Sequence, residues 1–286
     1  MPVAVVADTT SYLPSELKAA YGLHEVSLYV KFGEELESES EMPDFSAFYE
    51  RLRAARDLPT TSQPSIGDYL SVYQPLLDDG HDIVSVHLSA GISGTYDGAL
   101  QAKAHLEEQG YRGRIEVYDS STACGGMGLV ALAAAHKAAS GAGLNEVLAQ
   151  AAAARDALKI WFGVDTLEYL RRGGRVGAAQ AWLGGALKIK PILSLEHEIT
   201  PVERVRTSGK LFDRMVDYMR SRAADGADAW VVQHIQAADV AGRLVDAGRE
   251  VYGCEPIFVS EVGPVIGAHV GPGLVGVGGI PLTHVR

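Results

Sequence analysis

Along most of the chain, short apolar runs rich in β-branched residues alternate with longer stretches whose apolar residues recur at helical spacing. The runs fall at residues 3–7, 25–31, 82–88, 114–118, 160–164, 230–235 and 256–261. Helical patterns lie between them at 14–21, 45–56, 66–77, 95–108, 126–139, 144–158, 210–224 and 239–252. This alternation predicts parallel or mixed sheets flanked by helices, the α/β class. The first run has no polar alternation, which suits a strand buried on both faces. Two helical patterns follow one another through 126–158 with no strand between them. The texture then changes to a Gly173-Gly174 pair, a Lys-Ile-Lys-Pro run at 188–191 and a hairpin pattern over 191–205. These features predict a boundary near 156–166, dividing the chain into an N-terminal α/β domain, 1–160, and a C-terminal α/β domain, 161–286. Ligands of open α/β sheets bind beyond the carboxyl ends of strands, so the loops after strands are where function is sought.

With 286 residues the chain is long for one domain and comfortable for two. Hydrophobic content of 47% and charged content of 21% are those of a globular protein rather than a disordered one. A formal net charge of −11 argues against a nucleic-acid partner, which would want a basic face. The two cysteines, Cys124 and Cys254, are far apart and lack CxxC spacing, which favours two buried thiols in a reducing cytoplasm over a disulfide. The chain starts Met-Pro-Val-Ala-Val-Val and reaches Asp8 with no basic region or long apolar run, unlike a signal peptide. The Ala-rich stretch 130–154 is broken by His136, Lys137, Asn145, Glu146 and Gln150, too polar to span a bilayer. A soluble cytoplasmic protein without stable membrane insertion is expected.

Four polar or glycine-rich segments could carry function. The segment 58–65, Leu-Pro-Thr-Thr-Ser-Gln-Pro-Ser, sets three hydroxyls ahead of a helix, where hydroxyls and N–H groups could meet an anion; alternatively, it only supplies the N-cap Ser65. The segment 89–96, Ser-Ala-Gly-Ile-Ser-Gly-Thr-Tyr, follows a strand and opens a helix. Ser93 and the next amides could face a carboxylate or phosphate there, or merely cap the turn. It misses the nucleophile-elbow pattern GxSxG because Thr95 stands at the second glycine. The segment 170–175, Leu-Arg-Arg-Gly-Gly-Arg, offers guanidinium forks to a carboxylate, or else answers a helix dipole. The segment 263–273 holds His269 among glycines and prolines, as in a rigid loop permitting close backbone approach; the histidine could equally be structural. Gly271 to Gly276 spells GxGxxG, but too little chain follows to complete a dinucleotide-binding unit. Walker, HExxH and paired CxxC patterns are missing, so neither nucleotide nor metal has an evident site.

In order, these segments resemble the DegV family of bacterial fatty-acid-binding proteins. The resemblance runs through the Asp-Thr-Thr-Ser of 8–11, the Pro-Thr-Thr-Ser-Gln-Pro of 59–64, the Ser-Gly-Thr-Tyr of 93–96 and the Asp-Ser-Ser of 119–121. It continues through the Arg-Arg-Gly-Gly-Arg of 171–175, the Lys-Ile-Lys-Pro-Ile of 188–192 and the Gly-Ala-His-Val-Gly-Pro-Gly of 267–273. It implies two α/β domains with an acyl chain in a tunnel and its carboxylate where the domains meet. By position, Thr61 and Ser93 would hold the carboxylate, with Ser62 and Gly94 beside them. Arg171 (Arg172 as second choice) and His269 would lie nearby. It also implies a carrier with no catalytic residue, metal or cofactor of its own. Such a carrier presents a long-chain fatty acid to a separate ATP-dependent kinase subunit, which makes the acyl phosphate. Two enzyme readings stand against it: a serine hydrolase of lipid esters with Ser93 as nucleophile and His269 as base, and a stand-alone kinase. Arg204, Arg206 and Lys210 stand out as a basic docking surface for the kinase on an otherwise acidic protein.

Overall fold

A computed structural model describes residues 1–183 and 189–285. In chain order its strands are β1 (Val3–Asp8), β2 (His24–Val26), β3 (Tyr29–Phe32), β4 (Glu35–Ser38), β5 (Thr60–Ser62), β6 (Asp82–His87), β7 (Ile115–Asp119), β8 (Lys159–Gly163), β9 (Lys190–Glu196), β10 (Glu198–Val205), β11 (Ala229–His234), β12 (Phe258–Glu261) and β13 (Val275–Ile280). The helices are α1 (Ser15–Ala20), α2 (Ser46–Ala54), α3 (Ile66–Asp78), α4 (Thr95–Glu108), α5 (Cys124–Ala139), α6 (Leu144–Ala157), α7 (Glu168–Arg172), α8 (Ser208–Ala224), α9 (Ala238–Tyr252) and α10 (Pro264–Val270).

β2-β1-β6-β7 form a fully parallel sheet. Strand alternation sends Ala4, Val6 and Ile83 under α3 and α4, and Val3, Val5, Val84 and Val86 towards α5 and α6. Both faces of β1 are therefore buried, as its unbroken apolar run requires. The second sheet, β10-β9-β8-β13-β11-β12, is mixed, with only β11 and β12 parallel. Its Trp230, Val232, Val275 and Val277 lie under α8 and α9, whereas Ala229, Val231 and Ile280 face α5. The α/β class with parallel and mixed sheets flanked by helices is thus the observed fold. α5 touches strands of both sheets, and every residue from Gly125 to Ala135 is buried. A helix enclosed on all sides must be small and apolar all round, which accounts for the alanine-rich stretch.

Several elements differ from the sequence pattern, among them β4, which the pattern does not show, and α10, where it shows a loop. The run 25–31 is two strands in different sheets: β2 extends the parallel sheet, and β3 joins β4 and β5 in a small antiparallel sheet. The chain changes sheet at Ser27-Leu28, where the Leu28 amide donates to Thr9 Oγ1 at 3.2 Å. Thr60 to Ser62, expected as loop, pair with β3. β13 was not anticipated, because its Val-Gly-Val-Gly-Gly-Ile sequence has low strand propensity. Both cysteines are free, but Cys254 is exposed rather than buried, with Sγ donating to the Asp228 carbonyl at 3.2 Å. Lys188 of the 188–192 motif lies outside the described residues.

Between β1 and β6 lies a fully buried polar chain. Asp8 Oδ2 accepts from the Leu88 amide at 2.9 Å and contacts His87 Nδ1 at 3.2 Å; Ser85 Oγ meets His87 Nε2 at 2.7 Å and Tyr73 OH at 2.6 Å. Asp8 Oδ1 also accepts from the Thr10 amide at 3.0 Å. This Ser-His-Asp constellation is sealed in the core and holds the ends of β1 and β6, from which the loops to the site depart. Asp8→Ala would strand these donors in an apolar interior. It is expected to lower the unfolding free energy by about 3 kcal/mol with an unchanged m-value in urea denaturation.

Candidate functional site

A cavity of about 390 Å³ opens between the two main sheets. Its polar wall is assembled from four places: Thr61, Ser62 and Gln63 at the end of β5, Ser93 and Gly94 in the turn from β6 to α4, Arg175 after α7, and His269 on α10. These residues are partly or fully exposed, whereas much of the apolar wall, including Ala123, Val231, Leu274 and Gly278, is buried, with Ile160 and Phe162 half-buried beside it. The cavity is therefore polar at its open end and mainly apolar at depth, where buried Gln233 is a polar exception. The volume is that of a small-ligand site. Outside the opening, Gly91, Ser93, Gly94, Gly174, Arg175, Gly177 and Glu198 shape a polar crevice continuous with it.

Each polar side chain is placed by its element. β5 brings Thr61 Oγ1 to 2.8 Å from His269 Nε2, although 208 residues separate them. α10 is anchored at its start by buried Glu39, whose Oε1 accepts from the Val265 amide at 2.8 Å and from Tyr12 OH at 3.0 Å. Burial pushes the Glu39 carboxyl up to about 7, against the pull of these donors. His269 packs against Gly173, where a Cβ would collide with its Nδ1, and among the described residues Nδ1 has no hydrogen-bond partner. Burial, aided by the Arg175 guanidinium, holds the His269 imidazole down at about 4. At neutral pH it is uncharged.

Ser93 Oγ lies 2.8 Å from Thr95 Oγ1 and accepts from the Thr95 amide at 3.3 Å. Gln63 sits against Gly94 so closely that any side chain there would strike its amide. Arg175 donates through Nε to the Ile92 carbonyl at 3.2 Å and through Nη1 to the Gly173 carbonyl at 2.7 Å, tying the Ser93 turn to the segment after α7. The hairpin between β9 and β10 closes on the same turn: Ser89 Oγ donates to the His197 carbonyl at 2.6 Å.

Of the residues singled out by sequence, Thr61, Ser62, Ser93, Gly94 and His269 line one cavity. Arg171 does not. It is half exposed and paired with Glu168 at 2.6 Å on the outer face of α7. Arg172 also points away, to the Arg56 carbonyl at 2.9 Å. The guanidinium at the cavity is Arg175, because α7 ends after five residues and Gly174, with φ +72°, turns the chain back. Its signal was the glycine pair itself: the residue beyond a sharp reversal faces opposite to the helix before it. His269 lies on a helix rather than in a loop.

The hydrolase constellation is not assembled. His269 Nε2 is engaged by Thr61 rather than Ser93, no carboxylate meets its Nδ1 among the described residues, and an imidazole held near 4 is a poor base at neutral pH. No described helix is long and apolar enough to cross a membrane.

Together, fold and site are those of an α/β protein enclosing an apolar cavity that opens through hydroxyls contributed by distant segments. The chain belongs to the DegV family: the family model described as "Uncharacterised protein, DegV family" matches residues 2–282. It is 39% identical over 278 residues to a DegV domain-containing protein of Streptomyces coelicolor, covering 96% of this chain and 97% of that one. Protein DegV of Bacillus subtilis is 34% identical over 282 residues, covering 97% and 98%. Among solved structures, a DegV family protein of Thermus thermophilus described for its fatty acid binding superposes with a TM-score of 0.87 at 32% identity, covering 98% of this chain and 100% of that one. The Bacillus subtilis DegV crystal structure, described as a fatty acid binding protein, gives 0.87 at 33% identity, covering 98% and 99%.

The depressed His269 imidazole has a consequence for stability. Its pKa is about 4 folded and about 6.5 unfolded, so the penalty of keeping it neutral is absent above pH 6.5 and fully felt below pH 4. Glu39, raised to about 7, acts oppositely, since its protonation on acidification relieves a buried charge. Comparing the parent with His269→Asn cancels the Glu39 contribution. The destabilisation caused by His269→Asn is expected to be smaller at pH 4.5 than at pH 7 by about 2–3 kcal/mol, read from urea unfolding.

Proposed function

We propose that this protein binds a long-chain fatty acid in the cavity and presents its carboxylate to an ATP-dependent kinase, which forms the acyl phosphate. In this reading residues 1–160 and 161–286 are two domains closing on one ligand, in the cytoplasm, and the chain has no cofactor of its own. The observation that carries it is the cavity's polarity gradient: hydroxyls, one imidazole and one guanidinium at the opening, and at depth mainly apolar side chains, with the Gln233 amide already bonded to the Gly125 N–H and Ser260 Oγ. Fatty acid binding by the DegV proteins of Thermus thermophilus and Bacillus subtilis supports it.

The energetics favour that ligand. Burying about fourteen methylenes at ~0.8 kcal/mol each supplies on the order of 11 kcal/mol of gross drive, part of which is lost to ordering the ligand. A carboxylate cannot follow unpaired into the apolar end, so it stops among donors. A carboxylate accepts only, which fixes the direction of the Thr61–His269 pair: the imidazole donates through Nε2–H to Thr61 Oγ1, and the Thr61 hydroxyl hydrogen turns to the carboxylate. Ser93, already accepting from the Thr95 amide, likewise has its hydroxyl hydrogen free for the ligand. Arg175 adds positive charge at the opening. None of these groups is a nucleophile poised to attack; phosphoryl transfer would need the nucleotide and metal that a partner brings.

Gently purified protein is expected to carry a fatty acid of fourteen to eighteen carbons by native mass spectrometry, and Thr61→Val to weaken binding by about 10- to 100-fold, the loss of one hydrogen bond to a charged group. Ligand-free protein that gains no thermal stability from oleate would sink the proposal. Labelling of Ser93 by a fluorophosphonate would favour a hydrolase instead. For the kinase step, charge reversal at Arg206 and Lys210 is expected to slow partner-dependent phosphorylation of the bound acid while leaving its binding intact. Arg204, whose guanidinium lies over the Trp182 ring at 5.3 Å, is left unchanged in that test.

A further inference from the structure

The deep end of the cavity rests on β13, and this strand is nearly bare on the side that faces it. Successive side chains of a strand point to opposite faces. Val275 and Val277 point to the core beneath α8 and α9. Gly276, Gly278 and Ile280 therefore point the other way, and both glycines line the cavity. The neighbouring strands are not bare. On β8, Phe162 pairs with Gly276 and Ile160 with Gly278; on β11, Gln233 pairs with Gly276 and Val231 with Gly278. All four flanking residues line the cavity.

Two rows of side chains thus stand on either side of a strand that has none. Adjacent strands lie about 4.8 Å apart, so the rows are about 9–10 Å apart, a trough one strand wide that is open at Gly276 and narrowed at Gly278, where Ile160 leans across it. The start of α5 roofs it. Gly125 and Gly126 approach so closely that a Cβ on the first would meet Val231 Cγ2 at 2.9 Å, and on the second Ile160 Cγ2 at 3.2 Å. The trough has an open and a closed end. β13 begins just beyond α10, which carries His269, with Leu274 on the cavity wall. At the far end the Ile160 side chain, which a Cβ on Gly278 would meet at 2.7 Å, closes it, ahead of Ile280, which is fully buried on the same face.

We propose that Gly276, with the trough closed by Ile160 over Gly278, forms the seat of the terminal part of the acyl chain and sets the chain length this protein accepts. The proposal rests on the fatty-acid reading above and adds to it the element that measures the tail. The length scale follows from geometry. An extended polypeptide covers about 3.5 Å per residue over three bonds, so an extended alkyl chain covers about 1.2 Å per bond. The step from Gly276 to Gly278 is about 6.7 Å, worth about five methylenes. A straight saturated tail suits a trough of this width, because side chains wall it on both sides.

Gly276→Val tests it. The added Cβ meets its nearest neighbour, Phe162 Cβ, at 3.4 Å, an ordinary contact, so the branch projects into the cavity without moving backbone. Valine also suits a strand. Affinities of dodecanoate, palmitate and stearate are measured for the parent, for Gly276→Val and for Gly279→Ala, which alters the same strand on its other face. Gly276→Val is expected to lose at least about tenfold for palmitate and stearate, the equivalent of displacing two methylenes, and to hold dodecanoate within about threefold. Gly279→Ala should keep the parent's order and spacing of affinities. A Gly276→Val protein that keeps the parent's length preference, or that loses all three acids equally, overturns the proposal. If Gly276→Val does not fold, Gly276→Ala is judged by the same criterion. A parent that binds none of the three acids fails a different claim, the fatty-acid reading itself.

Discussion

Two sheets share one helix, and everything else in the molecule is arranged around that constraint. α5 contacts β1 and β6 on one side and β11 and β13 on the other, so from Gly125 to Ala135 it has no solvent face to hold long side chains. Its sequence, Cys-Gly-Gly-Met-Gly-Leu-Val-Ala-Leu-Ala-Ala-Ala, is what such a position permits. Glycines inside a helix cost about 1 kcal/mol each relative to alanine. They are tolerated because larger residues would hold the sheets apart: a Cβ at Gly128 would meet Phe258 Cζ at 2.9 Å. The single hydrophobic cluster that results runs from Val5 and Val86 through Met127 to Val231 and Phe258, binding the two halves of the chain into one core.

The elements that repeat a simple period were legible before any coordinates. The strands at β1, β6, β7, β8, β11 and β12, the hairpin of β9 and β10, and the eight helical patterns all appear within a few residues of where periodicity puts them. Two of the misses share a cause. β5 and β13 are strands made of hydroxyls or glycines, residues that locally favour turns, and only their partners β3, β8 and β11 hold them extended. The segment 25–31 reads as one strand because its pattern continues across Ser27-Leu28. The change of sheet there is decided by Thr9, far away in sequence.

The residues proposed for the head group divide the same way. The segments holding Thr61, Ser62, Ser93, Gly94 and His269 stood out as polar or glycine-rich loops of an α/β pattern, but these residues were singled out by the resemblance to the DegV family. The arginine at the cavity was not, since choosing among Arg171, Arg172 and Arg175 requires knowing where α7 stops. A helix of five residues followed by a left-handed Gly174 puts Arg171 on solvent with Glu168 and Arg175 at the cavity. The pairing of Thr61 with His269 was equally invisible, being a tertiary contact between a strand edge and a helix anchored by Glu39.

Polar and apolar recognition are therefore built by opposite means. The open end is made by adding groups: hydroxyls from β5 and the α4 turn, an imidazole from α10, a guanidinium from the segment after α7, drawn from both halves of the chain. The deep end is made by leaving side chains out, along β13 and at the start of α5, within a sheet otherwise rich in bulky residues. Groups that are present leave a motif, whereas space leaves only glycine, which has many other uses in a sequence. That asymmetry explains why a head-group site can be read from a chain while the length of its tail cannot. It also separates the roles physically. On the proposed reading, apolar contact at depth supplies the bulk of the binding energy, and the donors at the opening fix which end of the ligand faces outward.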